Sequence, residues 1–254
     1  MDKSTNLEGK IAWITGSGRG MGRAHAELLA ARGADIVIHD VLKEDAAAAA
    51  DAVRALGRRV AVFHDSVSDA PAMVRLVAEA EKQLGPIDIL VNNAGIGHHA
   101  TVEEIDEEIF QRMFDIHVRG TFFCTQAVIP GMKQRRFGRI INISSIWGMT
   151  GHSTASHYCA AKTAVQGFTK AWAKEFASYN ILVNTVCPGG VLTEMPIKVQ
   201  GWEKIRIKEK LVPVGRWAAP EEISYAVAYF ASPSGDFVTG QSISPNGGET
   251  IVGF

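Results

Sequence analysis

Short apolar segments alternate with longer segments of helical periodicity along almost the whole chain, and this alternation restricts the possible folds most strongly. The apolar segments are rich in β-branched residues and apolar throughout, which is typical of strands buried on both faces. Because neighbouring parallel strands need a helical crossover, the pattern predicts a parallel sheet with helices on both faces. Strands are expected at residues 10–15, 34–39, 59–64, 87–91, 139–143, 181–186 and 241–244, with helices at 20–32, 44–56, 70–84, about 108–134, 157–177 and 220–231.

The length of the chain limits how many domains these elements can form. No linker, low-complexity tract or internal repeat interrupts the 254 residues. A chain of this length can build one large core, or at most two small ones. We therefore predict a single α/β domain over residues 1–254, built as a Rossmann-like, doubly wound parallel sheet.

Charge and cysteine usage exclude several classes of partner. The formal net charge of −1 gives no general attraction to nucleic acid or to an anionic membrane. No apolar stretch approaches the ~20 residues of a membrane-spanning helix, and the first residues do not resemble a signal peptide. The three cysteines are widely spaced and form no CxxC pair, as expected of reduced thiols. These features predict a cytoplasmic protein that binds neither nucleic acid nor membranes.

A glycine-rich segment, TGSGRGMG at residues 15–22, lies between the first predicted strand and the first predicted helix. At that place glycines allow a tight turn, and the helix N-terminus offers backbone N–H donors to a pyrophosphate. Met21 stands where the common G-x-G-x-x-G pattern has its last glycine, so a plain tight turn is the alternative. We predict nucleotide binding by Gly16, Arg19, Gly20, Met21 and Gly22.

Asp40 ends the second predicted strand, about 20 residues past the glycines, where a carboxylate can accept hydrogen bonds from ribose hydroxyls. Its negative charge would repel a 2′-phosphate, which favours NAD over NADP as the cofactor. Arg19 acts in the opposite direction, because a cation in the loop can attract a 2′-phosphate. An exposed aspartate with no cofactor contact is the alternative interpretation of Asp40.

Ser145, Tyr158 and Lys162 form a candidate catalytic set. The fifth predicted strand leads directly to Ser145, and Tyr158 and Lys162 lie four residues apart, on one face of a helix. An ammonium near a phenol stabilises the phenolate and lowers the pKa of tyrosine from about 10. Such a tyrosine can serve as the acid/base of alcohol oxidation, but Y-x-x-x-K alone is also common in helices without chemistry.

Several motifs in register carry a resemblance to a known family. The segment at 15–22, NNAG at 92–95, Ser145, the Tyr158/Lys162 pair and Pro188-Gly189 occur in the order and spacing of the short-chain dehydrogenase/reductase family. The match extends from about residue 7 to residue 248. The resemblance implies an NAD-dependent oxidoreductase that interconverts a secondary alcohol and a ketone. It also implies a homotetramer, formed through the long central helices and the last strand.

The resemblance implies individual roles for these residues. Tyr158 would exchange the proton with the substrate oxygen, Ser145 would orient that oxygen, and Lys162 would hold the nicotinamide ribose and lower the pKa of Tyr158. Further cofactor contacts are implied for Asn92, Ala94, Gly95, Pro188, Gly189, Val191 and Thr193.

The chain departs from the family pattern at two places. His117 occupies the central-helix position where the family usually has an asparagine that kinks the helix and anchors a water linked to the lysine. An imidazole can still donate and accept hydrogen bonds, so His117 either continues a proton relay through Lys162 or only fills space. At the adenine edge the sequence reads Asp65-Ser66-Val67, which leaves open whether Asp65 or Ser66 takes the place of the family's aspartate.

Residues of the substrate side are harder to assign. Trp147 and His152 lie between Ser145 and Tyr158 and are expected to line the pocket. The segment near 193–213, which contains Met195 and Trp202, stands in the place of the family's mobile substrate lid. Trp202 can close over an apolar substrate or serve as a surface anchor. His98 and His99 are adjacent and so point in different directions, and we predict no metal site.

Two other classes of function remain open at this level. One is an NAD-binding regulator or scaffold without turnover, although such a protein has no physical need for the whole Ser145/Tyr158/Lys162 set. The other is an epimerase or dehydratase that uses bound NAD.

Overall fold

Seven parallel strands form one sheet within residues 3–252, the part of the chain that the computed structural model describes. They are β1 (Ile11–Thr15), β2 (Asp35–His39), β3 (Val60–Phe63), β4 (Ile89–Asn92), β5 (Gly138–Ile143), β6 (Ile181–Val186) and β7 (Ser242–Ile243). Their order in the sheet is β3-β2-β1-β4-β5-β6-β7. The predicted fold class is therefore confirmed, while residues 1–2 and 253–254 of the predicted domain lie outside the described residues.

The helices connect the strands in the expected order. They are α1 (Gly20–Ala31), α2 (Lys43–Ala55), α3 (Ala70–Leu84), α4 (Glu107–Phe114), α5 (Gly120–Arg135), α6 (Trp147–Thr150), α7 (Ser156–Phe176), α8 (Glu194–Glu209) and α9 (Pro220–Ala231). The predicted bounds of α3, α9 and β6 agree with the structure. The other predicted elements agree to within two residues, except in the region of α4 and α5.

Each face of the sheet is covered by its own group of helices. On one face Leu29, Ala49 and Val227 of α1, α2 and α9 pack with buried residues of the strands. On the other face Met73, Val128 and Trp172 of α3, α5 and α7 do the same. Burial on both faces explains why the central strands are mostly apolar rather than alternating between apolar and polar residues. No helix among the described residues is long and apolar enough to cross a membrane.

Two elements differ from the sequence expectations. The helix expected at about 108–134 is not continuous, because a π-helical turn at Asp115–Arg119 separates α4 from α5. The predicted lid segment is mostly helical and forms α8, which no periodicity had indicated. Gly201 interrupts α8 with φ 76° and ψ 156°, a conformation that favours glycine and breaks the helix into two halves.

His25 is completely buried where α1 packs against α9. The Ser224 hydroxyl donates to the Pro220 carbonyl oxygen (3.1 Å) and so accepts a hydrogen bond from Nδ1 of His25 (2.7 Å). Burial lowers the pKa of His25 from 6.5 to about 3. The native protein therefore holds this imidazole neutral at every pH at which the protein is expected to function.

This neutral histidine predicts a loss of stability in mild acid. Between pH 6.5 and pH 3 the unfolded chain takes up a proton at His25 and the native chain does not, so the free energy of unfolding falls as the pH falls. The contribution of His25 to that decrease between pH 7 and pH 5 is about 2 kcal/mol. Urea unfolding of His25→Asn should show a decrease that is smaller by this amount. Ser224→Ala is the control, since it perturbs the same contact but keeps the titrating group. An equally steep decrease in His25→Asn would contradict the assignment.

Candidate active site

A cleft of about 650 Å³ opens at the carboxyl ends of the strands. The strand order reverses between β1 and β4, and in doubly wound sheets ligands bind in the crevice at such a switch point. The glycine-rich segment lines one part of the cleft, and Ser145, Tyr158 and Lys162 line another. The fold thus joins the two candidate sites of the sequence in one continuous space.

The glycine-rich segment packs so closely on itself and on Asp40 that side chains would not fit at two of its glycines. A Cβ on Gly22 would overlap the carbonyl oxygen of Gly16, and a Cβ on Gly18 would lie 3.0 Å from the Asp40 carboxyl carbon. No side chain caps the N-terminus of α1, and its first turn holds no acidic residue. The residues at this terminus line the cleft, so its N–H groups and positive dipole end are available to a phosphate. These residues fit a dinucleotide.

Asn93 fixes the position of this segment. Its side-chain Nδ2 donates to the carbonyl oxygens of Thr15 (2.9 Å) and Gly16 (3.0 Å). In return, the Thr15 hydroxyl accepts hydrogen bonds from the backbone N–H of Asn93 (3.0 Å) and of Ala94 (2.9 Å). The end of β1 and the end of β4 are therefore held together at the floor of the cleft.

The Asp40 carboxylate is held at the edge of the cleft by two backbone amides. One oxygen accepts from the N–H of Gly18 (2.9 Å) and the other from that of Leu42 (3.0 Å). Arg19 is directed to other carboxylates, with Glu194 at 3.5 Å and Asp45 at 3.8 Å. The charge that is fixed at this edge is therefore negative.

The edge of the cleft at Asp65 is positioned by a buried histidine, His39, that the sequence analysis did not single out. Nδ1 of His39 accepts from the indole N–H of Trp13 (3.3 Å), so its Nε2 carries the hydrogen and donates to the Asp65 carbonyl oxygen (2.8 Å). Asp65, Ser66 and Val67 all line the cleft, with Val67 buried and the other two exposed. The Ser66 hydroxyl is hydrogen-bonded to that of Ser68 (2.8 Å).

Ser145, Tyr158 and Lys162 converge as expected. Lys162 is only 4% exposed, and its Nζ donates to the Ile143 carbonyl oxygen (2.8 Å) and lies 5.6 Å from the centre of the Tyr158 ring. The Ser144 hydroxyl donates to the Lys162 carbonyl oxygen (2.8 Å), which fastens α7 to the end of β5. The short β5–α7 connection thus brings the serine to the tyrosine.

The pKa of Tyr158 is shifted in the direction opposite to the one expected from Lys162. Burial raises the pKa of Tyr158 to about 12, and a hydrogen bond with Ser145 offsets part of that rise. Burial also lowers the pKa of Lys162 to about 8. The phenol is therefore protonated at neutral pH when the protein stands alone, and the proximity of Lys162 does not outweigh burial of the phenol.

His117 lies in the π-helical turn and is buried. Its Nε2 contacts the backbone of Ile96, 2.9 Å from the carbonyl oxygen and 3.1 Å from the nitrogen. Its ring meets that of Tyr158 edge-on, with 5.4 Å between the ring centres. Burial and then the charge of Lys162 hold the pKa of His117 well below 6.5, so the imidazole is neutral.

Most of the residues that the sequence analysis selected line the cleft. They are Gly16, Arg19, Gly20, Met21, Gly22, Asp40, Asp65, Ser66, Val67, Ala94, Gly95, His117, Ser145, Trp147, His152, Tyr158, Lys162, Pro188, Gly189, Val191, Thr193 and Met195. Asn92, for which a cofactor contact was expected, is not among the lining residues; it is buried and donates to Asn142 (2.8 Å) and Thr125 (3.1 Å). Trp202 does not line this cleft and is 53% exposed, because it follows the break at Gly201.

Other lining residues were missed by the sequence analysis. Lys208, Leu211 and Trp217 come from α8 and the segment after it, and no motif marks them. Within residues 3–252, no three His, Cys, Asp or Glu side chains are grouped so that they could hold a metal ion.

The fold and the cleft define the class of protein: an oxidoreductase of doubly wound α/β fold that transfers hydride with a nicotinamide nucleotide. A sequence model of the family described as short chain dehydrogenase matches residues 10–204. The chain belongs to this short-chain dehydrogenase/reductase family.

Known relatives share this fold over nearly their whole length. A trans-4-hydroxycyclohexanecarboxylate dehydrogenase of Sinomonas cyclohexanicum is 40% identical over 254 aligned residues, which cover 97% of this chain and 95% of the relative. A carveol dehydrogenase of Mycobacterium avium, solved in complex with NAD, has a TM-score of 0.92 at 32% identity, with 96% of this chain and 98% of that one covered. A gluconate 5-dehydrogenase of Burkholderia cenocepacia, solved with NADP and tartrate, has a TM-score of 0.91 at 36% identity, with 97% of each chain covered.

Proposed function

We propose that the protein interconverts a secondary alcohol and a ketone with NAD(H), and that Tyr158 is its acid/base. The observation that carries this proposal is the convergence of Ser145, Tyr158 and Lys162 in a cleft that continues to the glycine-rich segment and Asp40. When bound, the nicotinamide supplies or accepts the hydride. The named substrates of the relatives include ring-borne secondary alcohols, which supports the same reaction here.

The residues of the chain can complete the proton transfer in both directions. In ketone reduction, the protonated Tyr158 donates to the substrate oxygen while Ser145 holds that oxygen by a second hydrogen bond. In alcohol oxidation, the phenolate accepts the proton, and the ammonium of Lys162 stabilises the phenolate. The raised pKa of Tyr158 keeps the phenol protonated when no ligand is bound, which is the form that ketone reduction requires.

His117 is proposed to take part in the path by which the proton leaves Lys162. Its Nδ1 is buried and has no hydrogen-bond partner among the described residues. Buried polar atoms of this kind are commonly satisfied by ordered water, which the family's asparagine also binds. The proposed relay therefore uses an imidazole in place of the amide.

NAD is the proposed cofactor because the fixed charge at the ribose edge is negative. Asp40 is restrained by two amides, so it cannot turn away from a 2′-phosphate at little cost. The fold itself does not decide the matter, since one structural neighbour was solved with NAD and another with NADP. We also propose that α8 is the substrate lid. The cytoplasmic location and the homotetramer stay predictions.

Removing the phenol hydroxyl tests the central assignment. Tyr158→Phe should lower kcat by at least about a hundredfold, because Tyr158 is the one tyrosine among the described residues that line the cleft, while the Kd for NADH stays nearly unchanged. Initial rates with a panel of secondary alcohols and ketones, together with NADH fluorescence, provide the measurement. Tyr179→Phe, on the far side of α7, is the control. Near-normal turnover in Tyr158→Phe would exclude the proposed mechanism.

The cofactor assignment rests on the charge of Asp40. Asp40→Asn keeps the shape of the side chain and removes its charge, so kcat/KM with NADP relative to NAD should rise by about tenfold or more. Asp51→Asn, an exposed position on α2, is the matched control and should leave the ratio as it is. The assignment fails if the wild-type protein uses both cofactors equally well.

The relay predicts different results for two substitutions of His117. His117→Asn should retain kcat within a few-fold, whereas His117→Leu should lower kcat by about tenfold with little change in KM. Added imidazole buffer should restore part of kcat in His117→Leu, which a purely structural defect would not allow. Equal kcat in both variants, without an effect of imidazole, would show that His117 only fills space.

A further inference from the structure

His39, the last residue of β2, places polar atoms in a layer of the core that is otherwise apolar. Its side chain is 1% exposed and packs on Trp13, with 5.7 Å between the ring centres. Trp13 belongs to the apolar cluster that lies between the sheet and α3 and α5. Two apolar residues of similar size would fill this space without the loss of hydration that buried polar atoms suffer. The polar atoms of the pair therefore have a role other than packing.

Trp13 determines which ring nitrogen of His39 carries the hydrogen. The indole N–H can only donate, so Nδ1 of His39, at 3.3 Å, is the acceptor. Burial lowers the pKa of His39 in spite of the nearby carboxylates of Asp65 and Asp40, so the ring is neutral and its hydrogen is on Nε2. Nε2 donates to the Asp65 carbonyl oxygen (2.8 Å). The imidazole is thus a link of fixed polarity between the core and the loop that joins β3 to α3.

This link holds the part of the loop that lines the cleft, residues 65–67. Within the described residues 3–252, His39 makes the one hydrogen bond to Asp65. The side-chain hydrogen bonds that anchor the loop on either side are made at His64 and at the Ser68 carbonyl oxygen. Without the imidazole, the cleft-lining segment would keep its ends but lose the hydrogen bond between them.

The backbone of His39 holds the glycine-rich segment at the same time. Its carbonyl oxygen accepts from the N–H of Gly16 (2.7 Å) and of Ser17 (3.2 Å), and its N–H donates to the Ser17 hydroxyl (2.9 Å). One residue therefore connects two sides of the cleft, the glycine-rich segment through its backbone and residues 65–67 through its imidazole. A substitution of the side chain removes only the second connection.

We propose that His39 is a positioning residue for the adenosine half of the cofactor, and that it acts through the Asp65 carbonyl group. With the ribose at Asp40, the adenine lies against residues 65–67, which the imidazole holds in place before the cofactor binds. A segment that is already in place binds a ligand more tightly, because none of the binding energy is used to order it. The inference rests on the proposed orientation of the nucleotide and not on the proposed chemistry at Tyr158.

A cofactor fragment separates this role from a general effect on the fold. The dissociation constants of NADH and of reduced nicotinamide mononucleotide, which lacks the adenosine, are measured by fluorescence on the full chain. His39→Leu should weaken the binding of NADH about tenfold and change that of the mononucleotide by less than about twofold, because only residues 65–67 leave their binding position. His39→Gln should recover most of the affinity, since its amide can donate to Asp65 and accept from Trp13. Trp13→Phe removes the selection of the tautomer and should weaken NADH alone by a few-fold.

His25→Asn is the matched control, because it changes another fully buried histidine that does not line the cleft, and it should leave both dissociation constants as they are. Unchanged binding of NADH in His39→Leu overturns the proposal. An equal loss for the two ligands, or a His39→Gln variant that binds NADH as weakly as His39→Leu, does so as well. Should His39→Leu fail to fold, the same comparison in Trp13→Phe decides the question, and equal losses or none overturn the proposal. None of these measurements needs turnover, so a failure of the chemistry proposed at Tyr158 would leave them unaffected.

Discussion

The hydrogen bonds between Asn93 and the end of β1 are the contact on which the geometry of the cleft depends. They join the two strands at which the sheet order reverses, and they fix the carbonyl groups of Thr15 and Gly16. Once these carbonyls are fixed, the N–H groups at the start of α1 are directed into the cleft. The position of Asp40, which is bound to Gly18, then follows from the same loop. A short polar contact beneath the glycines thus fixes both the N-terminus of α1 and the Asp40 carboxylate, to which we assign the phosphate and ribose contacts.

Burial determines the protonation states of the catalytic region. Tyr158 and Lys162 lie on α7 and His117 lies in the π-helical turn, and desolvation is the largest cause of the pKa shift in each of the three. Desolvation favours the neutral form of every one of these groups. Without a bound ligand, Tyr158 is therefore a protonated phenol and His117 a neutral imidazole. Lys162 loses its proton more readily than an exposed lysine does. A charged ligand in the cleft would change all three equilibria together.

The sequence predicted most helices and strands, and the proximity of Ser145, Tyr158 and Lys162, because both depend on residue periodicity and spacing along the chain. Strand and helix periodicity placed β5 and α7, and the spacing then brought Ser145, Tyr158 and Lys162 together. It could not predict the π-helical turn at His117, because one extra residue per turn barely alters the hydrophobic pattern. The two asparagines of NNAG are chemically identical, and only the pleat at the end of β4 decides which of them faces the loop.

Residues that reach the site through tertiary packing were also beyond prediction. In the sequence, nothing distinguishes Lys208 from any other basic residue on a solvated helix. Its place near Trp147 depends on how α8 packs over the cleft. For Trp202 the sequence left open whether it closes over an apolar substrate or lies at the surface. In the structure it follows the non-helical Gly201 and is exposed, and the sequence gives no sign of a break at that residue.

The non-helical backbone at Gly201 divides α8 into two short helical halves that meet at this one residue. The first half carries Met195 and Val199 and begins beside Arg19 of the glycine-rich segment, through the Arg19–Glu194 ion pair. The second half carries Lys208, whose Nζ lies 5.7 Å from the centre of the Trp147 ring. A change of the backbone angles at Gly201 alone can therefore reorient the second half of α8 while the first half keeps its contact with the glycine-rich segment.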